Sequence, residues 1–591
     1  MKNFLKMTLA TITGLLIFSF VAMFLMIAVI GAVAALGEKQ PTMPAKAVLT
    51  IDMSTMTLGE QTKESSPLET LTSGATITPV GIYSAINAIN TAAQDPAVQF
   101  IYMKPDGSEN GVAHLEEFRT ALANFRNSGK AVVSYIENPS NGSYYLASVS
   151  DKVYMTPYDG GVNSFMGLSS QMIFLKDILD RLGVNIQLIR HGKYKSAGEM
   201  YVRSSSSKEN LEQNESMINS MWSSFASQIA ESREIGTQEL NDLINNLKLV
   251  LPADWVKYGL VDELLTREQL QQKLCDLYVA RNFGSVKTIS LQDYAKLKTP
   301  VQAASKQKVA VIYADGNIID GNGNENVAGD RFAKIISDVR KDSTVKAVVL
   351  RVNSPGGSVL AAEKIKAEVD LLQKRVPVIA SYGSYAASGG YWISACCDKI
   401  YTDATTLTGS IGVFSMIPDL SGTLKNKLHV NVTPVNSNKH ADMYNVLRPL
   451  SPTEIAYMQL TIEDVYKRFT SIVAEGRGMS VEEVDNLGQG RVWTGAEAVE
   501  RGLADEIGSI EDALTYAALS IDGVTSLSDV QIAEYPKPLT TLEALLESLN
   551  SSTPSVFAGT ALENVETAFQ NFSTSETGKP YARLPYEIIV R

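Results

Sequence analysis

Hydrophobic and polar positions along this chain fall into blocks that recur. An apolar run at 347–352 is followed by the turn Asn353-Ser354-Pro355-Gly356-Gly357-Ser358. Beyond it, apolar residues at Val359, Ile365, Val369 and Leu372 have the spacing of an amphipathic helix. A second apolar run at 378–382 leads through a glycine-flanked serine into a short helix and a third strand. Runs that are mostly apolar, with no strict alternation, predict strands buried on both faces, as in a parallel sheet. The same succession stands upstream: residues 98–154 align without a gap on 345–401 at a constant offset of 247. Ser134-Tyr135 falls on Ser381-Tyr382, Gly142 on Gly389, Tyr144 on Tyr391 and Asp151-Lys152 on Asp398-Lys399. Farther along, SQIAESREIGTQELNDL resembles SIVAEGRGMSVEEVDNL, and WVKYGLVDEL resembles AVERGLADEI. The pattern predicts two copies of one α/β unit, at 46–300 and 301–535.

The N-terminal pattern is of another kind. No charged residue lies between Lys6 and Glu38, a run longer than the roughly 20 residues a bilayer-spanning helix needs. Lys2 and Lys6 precede it, which places residues 1–6 in the cytoplasm and everything after the run outside. Ala32-Val33-Ala34 resembles the cleavage site of a secretory signal. Secretory apolar cores span only about 7–15 residues, however, so 7–36 is expected to stay as a transmembrane anchor, with 37–45 as a linker. At the other end, 536–591 combines one amphipathic stretch, 542–549, with Ser- and Thr-rich segments, and is expected to form a peripheral, partly disordered tail.

Composition narrows the function. With 591 residues, 45% hydrophobic and 20% charged, the chain is globular and long enough for several domains. A net charge of −12 without a basic patch argues against nucleic acid as a partner. Three cysteines, Cys275, Cys396 and Cys397, make no disulfide framework. Four scattered histidines show no metal-ligand spacing, so neither a metal nor another cofactor is expected.

Candidate chemistry gathers around Ser388, between Ala386-Ala387 and Gly389-Gly390. Small neighbours let another backbone approach, and a serine that opens a helix leaves the next N–H free for a developing oxyanion. Gly356 or Gly357 in the upstream turn and Gly389 beside the serine are the candidate oxyanion donors. Close packing of a helix on a sheet would use the same small residues. The first copy has Asn141 where the second has Ser388, and Glu109-Asn110 where the second has Gly356-Gly357, so it lacks both features.

A serine hydroxyl needs a base. An amine with an ordinary pKa near 10.4 serves only where burial favours its neutral form. Two stretches offer a lysine among small or apolar neighbours: 191–199, with Lys193 and Lys195, and 438–442, with Lys439.

The order strand, NSPGGS, helix, strand, AASGG, helix, strand resembles the Clp protease and crotonase superfamily. LTGSIGVF at 407–414 and YKSAGE at 194–199 narrow the resemblance to the signal peptide peptidase A (protease IV) family in its long, double-domain form. That resemblance implies a tandem repeat of two Clp/crotonase-like domains behind one transmembrane helix. By that resemblance the serine nucleophile is expected to be Ser388 and the general base the lysine of the YKSA motif, Lys195, carried by the degenerate first domain. Single-domain members carry their base downstream of the serine, and Lys439, 51 residues after Ser388, is the rival by that rule. The Clp histidine has no counterpart in 407–414, and His114, His191, His429 and His440 occupy no recognisable frame. The resemblance further gives Ser410 the task of orienting the lysine, and places Val359 and the run Ile411, Gly412, Val413, Phe414 in a groove where a peptide adds as a strand. Its expected substrates are signal peptides left in the bilayer, cut on the extracytoplasmic side of the bacterial cytoplasmic membrane by a homotetramer. A crotonase-like acyl-CoA enzyme and a catalytically silent membrane scaffold are the alternatives. Whether serine and lysine meet within one chain or between chains is left open by the sequence.

Overall fold

The computed structural model describes residues 2–37, 41–62, 77–107, 110–298, 306–324, 326–537 and 578–584. The amphipathic stretch expected at 542–549 lies outside them. Lys2–Gly37 forms one helix of 36 residues, about 54 Å long at 1.5 Å per residue. Among the residues whose side chains are described, no helix is long and apolar enough to cross a membrane.

The repeat is visible in the strand order of two parallel sheets. The first runs Glu263–Leu264, Lys152–Met155, Val132–Ile136, Val98–Lys104, Ala47–Asp52, Thr288–Ser290. In the second, Glu506–Ile507, Lys399–Thr402, Val378–Ala387, Val345–Ser354, Lys308–Asp315 and Gln531–Tyr535 follow in the matching order. The central strands Val345–Ser354 and Val378–Ala387 are buried on both faces, as expected for the middle of a parallel sheet. The helix Val359–Gln373 buries Val359, Ile365, Val369 and Leu372, and Ser358 caps it by accepting the N–H of Ala361.

The second sheet has an addition. Val378–Ala387 is 10 residues long, whereas its counterpart Val132–Ile136 has five. The extra length pairs with Leu407–Gly409, which in turn pairs antiparallel with Val492–Thr494. In the first copy Pro139 stands where the second has Ala386 and has no N–H to carry the strand onward.

A third, mixed sheet joins the copies. Its order is Val327–Ala328, Ile318–Ile319, Gly356–Ser358, Tyr581–Arg583, Val413–Asp419, Asn185–His191. Asn185–His191 belongs to the first copy and pairs antiparallel with Val413–Asp419 of the second over all seven residues, from Val413↔His191 to Asp419↔Asn185. The cores also merge: one apolar cluster runs from Ile86, Ile89 and Leu122 to Val309, Val349, Ile379 and Leu514. Contrary to the expectation of a peripheral tail over 536–591, the described residues 578–584 sit inside the third sheet, with Ala582 fully buried.

Candidate active site

Ser388 stands where the long strand Val378–Ala387 gives way to the short helix Gly389–Ser394. Its backbone is at φ 55°, ψ −110°, a strained conformation for a residue with a side chain. Two bonds hold it there: its N–H donates to the Gly409 carbonyl (2.8 Å) and its own carbonyl accepts from Trp392 N–H (2.8 Å). The lengthened strand and its partner Leu407–Gly409 therefore aim the serine.

Lys195 arrives from the other copy. Strand Asn185–His191 delivers the chain to the turn 192–198, where Lys195 N–H donates to Gly192 O (3.2 Å) and its carbonyl accepts from Arg190 Nη1 (2.7 Å). Gln213 Nε2 donates to Tyr194 O and to Ser196 Oγ (both 3.0 Å), while its Oε1 accepts from Val492 N–H (3.3 Å), tying the turn to the second copy. Gly490 packs directly on the lysine; a methyl group there would lie 2.5 Å from Lys195 N and 2.6 Å from its Cα. Cδ runs past Gly412, where an added methyl would be 3.1 Å away.

The amine ends 2.8 Å from Ser388 Oγ, 2.9 Å from Ser410 Oγ and 3.2 Å from Ser410 O. Lys195 is 1% exposed, and no ion pair of its amine occurs among the described residues. Burial alone pushes it well below the usual lysine range. A neutral amine has two hydrogens and one lone pair. The two hydrogens suit the two Ser410 oxygens, which leaves the lone pair to accept the Ser388 hydroxyl hydrogen. Ser410 is itself held at φ 50°, its N–H donating to Arg491 O (2.7 Å).

On the other side of Ser388 lies the glycine turn. Gly356 and Gly357 adopt φ 98° and 156°, the region that favours glycine, and a methyl at Gly357 would fall 1.9 Å from Ile318 O. Gly356 N–H donates to Ser354 Oγ (3.2 Å). A methyl at Gly389 would come within 3.1 Å of Gly357 N, so the turn and the start of the serine helix face each other closely. Val359, Ile411, Val413 and Phe414 are buried around this corner.

Other residues singled out in the sequence lie elsewhere. Lys439 is exposed in the turn 437–444. His114, His191 and His440 contact Glu60 (2.9 Å), Glu463 (2.7 Å) and Glu454 (2.9 Å), and His429 is exposed. In the first copy, Asn141 accepts from Gly167 N–H (3.0 Å) and donates to Gly167 O (3.1 Å), and Asn110 accepts from Leu58 N–H (2.7 Å). Both are structural ties at the positions of the serine and a glycine. Arg190, Gln213 and Gly490 were not found from the sequence. Gln213 had a readable signal: it lies on the helix face that buries Asn210, Met217 and Met221, where a polar side chain must find partners.

The chain as a whole is similar to known proteins. The chain matches the model of "Peptidase family S49" over residues 124–280 and 370–522. It is 36% identical over 451 residues to "Protease 4" of Haemophilus influenzae, covering 74% of this chain and 72% of that protein. With "Protease 4" of Salmonella typhi it shares 36% identity over 488 residues, 80% of this chain and 76% of the relative. Against "Putative signal peptide peptidase SppA" of Enterococcus faecium it is 33% identical over 289 residues, 48% of this chain and 83% of that protein. The two matched segments fall one in each repeat, and together they span more than half of the sequence: the chain belongs to peptidase family S49.

Proposed function

We propose that this chain is a serine endopeptidase that works with a Ser388/Lys195 dyad on peptides at a membrane. The observation that carries the reading is a buried amine with no ion-pair partner among the described residues, 2.8 Å from the hydroxyl of a strained serine. Ser388 Oγ attacks the peptide carbonyl while Lys195 takes its proton. Gly389 with Gly357 or Gly356 supplies N–H groups to the oxyanion, an arrangement in which a single donor is worth on the order of 10²–10³ in rate. Lys195 then protonates the leaving amine, and water, activated by the same amine, hydrolyses the acyl-enzyme. Ser410 keeps the lone pair directed at Ser388. The halves of the dyad come from domains 46–300 and 301–535 of one chain, so an oligomer is not required to complete the site.

The substrate reading is the cleaved signal peptide, supported by the name of the Enterococcus relative. It agrees with an anchor over 7–36, for which the uncharged run between Lys6 and Glu38 and the 36-residue helix are the support. That anchor would hold both repeats at the extracytoplasmic face of the cytoplasmic membrane. The homotetramer expected from the family resemblance would then enclose the site rather than build it.

The test is a pair of lysine variants with a fluorogenic peptide. Lys195→Ala is expected to abolish hydrolysis and Lys439→Ala to leave it within about twofold, since an exposed lysine far from the serine contributes little. A fluorophosphonate should label the wild type and not Ser388→Ala. Loss of activity in Lys439→Ala with retention in Lys195→Ala would overturn the dyad.

A further inference from the structure

The third sheet contains a one-strand gap filled by the chain's own residues. Among the described residues, Gly356–Ser358 and Val413–Asp419 are joined through Tyr581–Arg583, which runs antiparallel to both. One edge carries Val413 and Phe414 of the run expected to line the peptide groove, and the other carries the expected oxyanion glycines and leads directly into Val359. The register is Gly356↔Arg583, Gly357↔Ala582 and Ser358↔Tyr581, with Phe414↔Tyr581 on the far side. Leu584 N–H donates to Pro355 O (2.7 Å), and Val359 N–H donates to Pro580 O (3.5 Å). Hydrogen-bonded and non-bonded pairs alternate along an antiparallel ladder, so Gly357/Ala582 is the bonded pair between those two. The Gly357 N–H therefore faces the Ala582 carbonyl.

That carbonyl lies close to both Gly356 and Gly389 at the serine corner. A methyl group at Gly356 would fall 2.0 Å from Ala582 O and one at Gly389 3.1 Å from it, and Gly389 directly follows Ser388. The side chains are accommodated too. Ala582 is fully buried, Leu584 is buried, and the Tyr581 ring lies 6.1 Å from that of Phe414, centroid to centroid. Lys579, two residues before Tyr581, pairs with Asp320 (2.7 Å). A strand added to open edges, with a small residue buried at the reactive carbonyl, is the way a peptide is presented to a protease.

We propose that residues 578–584 are a substrate of the chain's own active site, with Ala582–Arg583 as the scissile bond; this rests on the Ser388/Lys195 reading above. Ser388 Oγ bonds to the Ala582 carbonyl carbon as its proton passes to Lys195. The C–N bond to Arg583 breaks, and Lys195 returns the proton to the Arg583 nitrogen, which leaves as an amine. One water then releases Ser388, leaving a carboxylate on Ala582. Lys579 and Asp320 hold the upstream side in register during the step.

Intact-mass measurement on the purified full chain tests this. The wild type is expected to lose the mass of residues 583–591 and to end at Ala582, while Ser388→Ala and Lys195→Ala stay whole. Ala582→Trp, too large for the buried position, should also stay whole yet still take up fluorophosphonate at Ser388. The synthetic peptide GKPYARLPYE, residues 578–587, should be cut by Ala582→Trp between its alanine and arginine. Wild type that takes up fluorophosphonate and hydrolyses an unrelated fluorogenic peptide, but leaves the 582–583 bond intact, overturns the proposal alone. So does a cut at that bond in Ser388→Ala. Failure of labelling, of peptide hydrolysis and of self-cleavage together overturns the dyad and this proposal with it.

Discussion

The two repeats share a sheet order and differ in what each has kept. The second copy retains the glycine turn and a 10-residue strand that positions Ser388, while its stretch 432–438, the counterpart of the lysine strand by the repeat offset, is exposed and forms no strand. In the first copy the strand stops at Ile136, Pro139 follows, and Asn141 is tied to Gly167. Yet its segment Asn185–His191 forms a full seven-residue ladder with the other copy and presents Lys195. Each copy thus holds the half that its sister lacks. What the comparison teaches is that a serine needs the surrounding backbone as much as a neighbouring base.

The same contrast appears between the copies in Arg351 and Lys104, which occupy matching positions. Lys104 is half-exposed and pairs with Asp52 (3.3 Å). Arg351 is fully buried and binds Glu60 (2.7 Å) and Glu117 (2.8 Å) of the first copy, along with Ser381 Oγ and Tyr382 O of its own. Burial would raise the Glu60 carboxyl, but Arg351 and His114 outweigh it and hold the group at about 2. Nearby, burial together with Glu117 and Glu116 pushes Asp403 well above the carboxylate range. This cation therefore clamps the two copies in the orientation that brings Lys195 to Ser388.

Three changes would break or sharpen the comparison, the largest first. Moving the serine to the first copy, Ser388→Ala with Asn141→Ser, should leave peptide hydrolysis down by more than about 10⁴-fold, because a nucleophile without its setting recovers nothing. Fluorophosphonate labelling at residue 141 would show that the first copy's frame is sufficient. Next, Arg351→Met should cost about 3–5 kcal/mol by urea denaturation, since it leaves buried carboxylates unpaired. Lys104→Met, at an exposed pair, should change stability by less than about 1 kcal/mol. Equal effects would remove the clamp from the account. Last, Gly389→Ala should lower kcat by about 10²–10³ with folding intact, because the added methyl crowds the space between Gly389 and Gly357. An unchanged kcat would place the oxyanion elsewhere.

Much of this was legible in the sequence, and the parts that were not share a cause. The gapless offset of 247 revealed the repeat, and the small residues around Ser388 marked it as the candidate nucleophile. Lys195 was marked only by its motif, because its burial depends on Gly412 and Gly490, distant in sequence and brought over it by the ladder between Asn185–His191 and Val413–Asp419. No local periodicity encodes such a pairing. The strand at 581–583 carries no signal of its own, since YAR has no apolar run and follows Ser- and Thr-rich sequence; it exists through the two open edges that receive it. Arg351 carried an unused signal, since a lone charge inside the run 347–352 demands a buried carboxylate.

The central claim is that an uncharged amine from the first repeat activates the serine of the second. Its most direct test is the rate of fluorophosphonate labelling of Ser388 as a function of pH, in wild type and Lys195→Ala. As the pH rises the Lys195 amine loses its proton and becomes a base, so the wild-type rate should climb to a plateau. The midpoint should lie below the ordinary lysine value of about 10.4, and the rise should vanish in Lys195→Ala. The same rise in both proteins, or a wild-type midpoint at about 10.4 or above, would contradict it.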